Sequence, residues 1–173
     1  YLLPAVEYAR DNGHYIGLHE YLAVEADMGV GWRQVDGNRQ PTTNIWHGRP
    51  DKSYPWGYAA LRYRHVWDTV LAPAGLGDVR LLITELGCDS VPSVTPAGMS
   101  LGTWKEHAPH WTAAGKDPEE TYAGMLRWYD DRMREDAYVV GATMFTVGSV
   151  GIWANWDIEG TDVSSIIRLD IED

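Results

Sequence analysis

Apolar positions along the chain follow two periodicities. Leu2, Ala5, Val6 and Ala9 recur at helical spacing. Pro4 is tolerated in a first turn and Gly13 is a natural stop. This helix leads into a β-type run, His14-Tyr15-Ile16-Gly17-Leu18-His19-Glu20-Tyr21. A second run, Arg80-Leu81-Leu82-Ile83-Thr84-Glu85-Leu86-Gly87, is apolar until it ends on a carboxylate and breaks at glycine. A third extends from Tyr138 to Val147 and stops at Gly148. A helix over 55–71 precedes the second run, with Ala59, Tyr63, Val66, Trp67 and Val70 on one face. Another precedes the third. It opens at Asp117-Pro118-Glu119-Glu120, a capping acid followed by proline and first-turn acids. Its stripe is Tyr122, Met125, Leu126, Tyr129 and Met133. A short helix over 163–169 closes the pattern. Strands reached through helices predict an α/β fold with a parallel sheet of βα units.

Two connections, 22–54 and 89–116, read as long loops, which in compact domains are usually functional. The first carries Trp32, Trp46 and His47, and the second Trp104, His107, His110 and Trp111. His107 and His110 have ligand-like spacing, but the stretch does not read as a helix and offers no third ligand. No metal site is expected there. No repeat or domain boundary interrupts the chain, so residues 1–173 read as a single domain.

Charge narrows the partners. Twenty-five acids against 14 bases give a net charge of −11, which disfavours nucleic acid and anionic membrane surfaces. No apolar run approaches a membrane span. The lone Cys88 excludes an internal disulfide and a cysteine metal site, and reads as a buried filler. Nine Trp and ten Tyr stand against a single Phe. That skew favours half-wet surfaces and supports a carbohydrate site, because indole faces match the C–H faces of sugar rings. Tyr1-Leu2-Leu3 begins inside a helix, which reads as a fragment or a processed chain.

Glu85 carries the chemical argument, because α/β barrels place their chemistry at the C-terminal ends of parallel strands. Four segments, Ile16–Tyr21, Leu61–Arg64, Leu82–Gly87 and Gly141–Phe145, resemble the later strands of clan A retaining glycoside hydrolases. The resemblance implies the C-terminal part, about strands 6–8 with their helices, of a (β/α)8 barrel. A whole barrel takes about 250 residues. It implies Glu85 as nucleophile, with His19 and Tyr21 supporting it. It also implies Trp46, Trp111 and Trp153 as sugar-stacking residues. The substrate implied is a poly- or oligosaccharide cleaved with retention and without a cofactor. The clan's acid/base glutamate follows an asparagine, and no Asn-Glu pair occurs here. The resemblance therefore places the proton donor outside this chain, with the N-terminal half of the barrel on the same or another polypeptide.

Glu20 is the other carboxylate at a strand end. Side chains alternate along a strand, so His19 and Tyr21 share one side and Glu20 takes the other unless the strand ends or bulges. Glu20 is thus expected as a supporting or substrate-binding acid, with a direct acid/base role as the alternative. Two other readings compete. One is a non-catalytic carbohydrate-binding protein on a degenerate barrel. The other is a metal-dependent barrel hydrolase using His19, Glu20 and Glu85. A purely structural role, in which the chain completes a barrel with another polypeptide, is a third.

Overall fold

The computed structural model describes residues 2–22, 32–35, 38–41, 61–88 and 103–171. Helix α1 (Leu3–Asp11) leads to strand β1 (Tyr15–Leu22). A small antiparallel hairpin, β2 (Trp32–Val35) and β3 (Asn38–Pro41), falls within the first long connection. Helix α2 (Arg62–Val66) passes directly into a π-helical turn, Trp67–Leu71, before strand β4 (Arg80–Cys88). Helices α3 (Trp104–Ala113) and α4 (Pro118–Met133) precede strand β5 (Val139–Met144). A 3-10 turn at Gly151–Trp153 and helix α5 (Val163–Ile171) follow.

The three expected strands form one parallel sheet in the order β1-β4-β5. This corrects the barrel expectation. Among the described residues the sheet is open and three-stranded, and β2 and β3 pair only with each other. The physical reason is that strand-end motifs are local. They specify a βα unit, whereas closure depends on strand number and stagger, which no short motif encodes.

Helix starts follow local chemistry. Asp117 caps α4, its carboxylate accepting from the amides of Glu119 and Glu120 at 2.9 Å each, with Pro118 in the first turn. Helix α3 corrects the loop reading of 89–116. Its start is a reciprocal capping box, in which the Thr103 hydroxyl accepts from Glu106 N–H and the Glu106 carboxylate from Thr103 N–H. The Thr-x-x-Glu pattern was present in the sequence, but Pro109 inside the helix obscured the period.

One face of the sheet is dry. Leu81, Ile83 and Leu86 cluster with Val6 of α1, Tyr63 of α2, Trp67, and Leu126, Tyr129 and Met133 of α4. Tyr15, Gly17, His19, Arg80, Thr84, Val140 and Thr143 on the strands are exposed. A parallel sheet ordinarily buries both faces; among the described residues the helices pack on one face, and the strand residues of the other are exposed.

A charged network ties α2 to the end of α4. The buried Arg64 guanidinium donates to Asp136 at 2.6 Å, to Glu135 at 3.0 Å and to the Arg132 carbonyl at 2.7 Å. The Tyr63 hydroxyl donates to the same Asp136 at 2.5 Å. Burial works against the Arg64 cation, but the carboxylates outweigh it and hold the guanidinium charged. Removing Arg64 leaves the largely buried Asp136 carboxylate without its counter-charge. Arg64→Met should therefore destabilise the fold by roughly 2–4 kcal/mol, read as a lower midpoint in chemical denaturation with an unchanged slope.

Candidate active site

Strict alternation along β4 would put Leu81, Ile83 and Glu85 on the same, buried face. A β-bulge prevents this. Leu18 pairs with Ile83, but the next residue, His19, pairs with Glu85, leaving Thr84 as the extra residue. The pairing with β5 shifts at the same place, between Ile83 and Leu86, opposite Thr143. The bulge turns Glu85 to the open face and returns Leu86 to the core. Gly17 makes room, since a Cβ there would meet the Thr84 methyl at 3.3 Å.

On that face Glu85 meets the two residues expected to support it. The Tyr21 hydroxyl donates a short hydrogen bond to Glu85 Oε2. His19 Nδ1 lies 3.2 Å from the same oxygen. The Glu85 side chain is one-third exposed, so the carboxylate is held on one side and open on the other. It lies in a cleft of about 480 Å³ lined by Tyr21, Glu85, Phe145, Thr146, Ser149 and Trp153. The cleft lies beyond the carboxyl ends of the parallel strands, where open α/β sheets bind ligands.

The aromatic wall is built by the segment after β5. Trp153 meets Phe145 edge to face, with centroids 5.5 Å apart, and packs beside Trp156 at 5.4 Å. The Ser149 hydroxyl donates to the Trp153 carbonyl at 2.9 Å. Asp157 accepts from the amides of Gly148 and Glu159, which lowers its pKa. Helix α3 fastens the segment from outside: Trp104 Nε1 donates to the Trp156 carbonyl at 3.2 Å and Lys105 Nζ to the Ala154 carbonyl at 3.0 Å. Gly87 admits a close approach, because a Cβ there would stand 3.0 Å from the Phe145 carbonyl oxygen.

The structure brings together Glu85, His19, Tyr21 and Trp153. It separates Glu20 and Trp111 from them. Trp111 is fully buried in α3 and stacked on His107, so it offers no face to a sugar. Trp46 lies outside the described residues. His107 is buried beside Trp111, and burial followed by the nearby His110 lowers its pKa to about 4. Among the described residues no group of three or more His, Cys, Asp or Glu could hold a metal ion. The proposed His19–Glu20–Glu85 ligand set fails because Glu20 faces the core. Phe145, Thr146 and Ser149 were missed as cleft residues. The signal was weak: the single Phe of the chain, next to a strand end, and the glycines at 148 and 151 that turn the chain back.

Glu20 instead serves the fold. Its carboxylate accepts from the Tyr63 amide at 2.6 Å, at the start of α2, and from the Tyr129 hydroxyl of α4 through a short hydrogen bond. Burial raises its pKa to about 7, although both hydrogen bonds pull the other way.

Comparison with protein-family models, with curated protein sequences and with solved structures returned no significant match.

Folded Glu20 keeps its proton up to about pH 7, whereas an exposed glutamate releases it near 4.5. Between those values the folded state binds more protons than the unfolded state, so stability falls as pH rises through the window. The contribution is complete below pH 4.5 and lost above pH 7, and its size is on the order of 3 kcal/mol. Denaturation midpoints measured from pH 4.5 to 7.5 should show this slope. Glu20→Gln should flatten it.

Proposed function

We propose that this chain carries the nucleophile of a retaining glycoside hydrolase, and that the nucleophile is Glu85. The observation that supports this best is the carboxylate itself. It is delivered by a bulge to the open end of a parallel sheet, anchored by Tyr21 and His19, and flanked by the Trp153 indole. The Tyr21 and His19 contacts hold one carboxylate oxygen still and leave the other for the reacting carbon. An aromatic wall beside it suits the apolar face of a pyranose.

In the reaction, a Glu85 oxygen bonds to the anomeric carbon as the glycosidic C–O bond breaks. The leaving oxygen takes a proton from a second carboxyl group, supplied from outside the described residues. Water then attacks the anomeric carbon and gives its proton to that same group, and Glu85 departs as a carboxylate. Tyr21 holds Glu85 in line throughout, and Trp153 positions the sugar ring.

A second reading, a carbohydrate-binding module, is favoured by one observation: no second carboxylate lines the cleft among the described residues. Glu85→Gln separates the two. As a hydrolase, the complete protein should lose at least about 10³-fold in turnover on a panel of aryl glycosides and oligosaccharides, while its melting temperature stays put. A fluorosugar inactivator should leave its mass on the peptide containing Glu85. Unchanged activity in the Gln variant would remove Glu85 from the mechanism. Retained sugar binding by a wild-type protein that never cleaves would favour the binding module.

A further inference from the structure

The bulge at Thr84 costs the sheet part of its ladder, and side chains replace what is lost. The Thr84 hydroxyl donates to the Leu18 carbonyl of β1 at 3.3 Å. On the other side, the Thr143 hydroxyl of β5 donates to the Thr84 carbonyl at 2.6 Å. Thr143 is the one β5 residue set opposite the two bulge residues, Thr84 and Glu85. Its hydroxyl thus takes hold of the peptide unit that joins the extra residue to Glu85. Both threonines are exposed and neither lines the cleft.

We propose that Thr143 is a positioning residue for Glu85, acting through the Thr84 carbonyl. The chain has two ways to run from Ile83 to Leu86. With the bulge, Glu85 faces Tyr21 and His19. Without it, strict alternation would turn Glu85 to the buried side. A hydrogen bond to the Thr84 carbonyl fixes that peptide in the bulged orientation. Since the phenol and imidazole reach only one carboxylate oxygen, a small rotation of this peptide moves both contacts. The same device explains why the second anchor is a hydroxyl on the neighbouring strand: the main chain of β5 runs one residue short here and cannot supply the bond.

The importance of this device for turnover rests on Glu85 as nucleophile; its importance for geometry does not. The test uses Thr143→Val, which keeps shape and removes the donor, and Thr143→Ser, which keeps the donor. Two readouts are taken on the full chain. The first is the ¹³C resonance of the Glu85 side-chain carboxyl, assigned by its loss in Glu85→Gln. It should shift in the Val variant and return to the wild-type position in the Ser variant, with melting temperatures alike among the three. The second is kinetics on the best aryl glycoside. In the Val variant kcat should fall on the order of 10- to 100-fold with KM little changed, and Ser should rescue it. A Glu85 resonance identical in wild type and the Val variant would overturn the proposal. So would a shift that Ser fails to reverse. If the wild-type protein cleaves no glycoside, the hydrolase reading fails, and the resonance alone decides the positioning claim.

Discussion

The site depends on one extra residue. Thr84 interrupts the alternation of β4, and the place of Glu85 in the cleft follows from that interruption. An unbroken strand would bury a carboxylate among Leu81, Ile83 and the α4 side chains, where an unpaired charge is costly. The bulge relieves that conflict and puts the same carboxylate within reach of a phenol and an imidazole. Fold stability and site chemistry are therefore decided by one local choice of register.

Strand β1 shows the complementary arrangement without a bulge. His19 and Tyr21 point to the open face, while Glu20 between them points into the core and receives Tyr63 and Tyr129. Two carboxylates from neighbouring strands thus end in opposite environments. One is half-wet, hydrogen-bonded on one edge and open on the other. The other is dry, has its pKa raised by burial to about 7, and ties α2 and α4 to the sheet. Environment separates their roles more sharply than their positions in sequence do.

Much of this was legible in the residues. The periods of α1, α4 and α5, and the three apolar runs, appear as elements within a few residues of where the pattern placed them. The alternation of His19, Glu20 and Tyr21 also held. Closure of the sheet was not legible, because it is a property of the whole strand set. Helix α3 escaped because Pro109 broke its period, although Thr103 and Glu106 announced its start. Trp111 was misplaced for a related reason. In a loop an indole is free to face a ligand, but on a helix packed against α4 the same indole fills the core. Within 55–71, the expected helix is described from Arg62 onward and tightens into a π-helical turn at Trp67–Leu71, a change in hydrogen-bond span that no periodicity of side chains reveals.

The aromatic wall is not self-supporting. The loop that presents Trp153 hangs from α3 through Trp104 and Lys105, both reaching its carbonyls from outside the cleft. Trp104 is itself clamped against Tyr122 of α4 in a parallel stack at 5.1 Å. The gap between the indole and the carboxylate is consequently governed from a helical pair outside the cleft. The width of the cleft can therefore drift through changes in that distant clamp while Glu85, Tyr21 and His19 stay fixed.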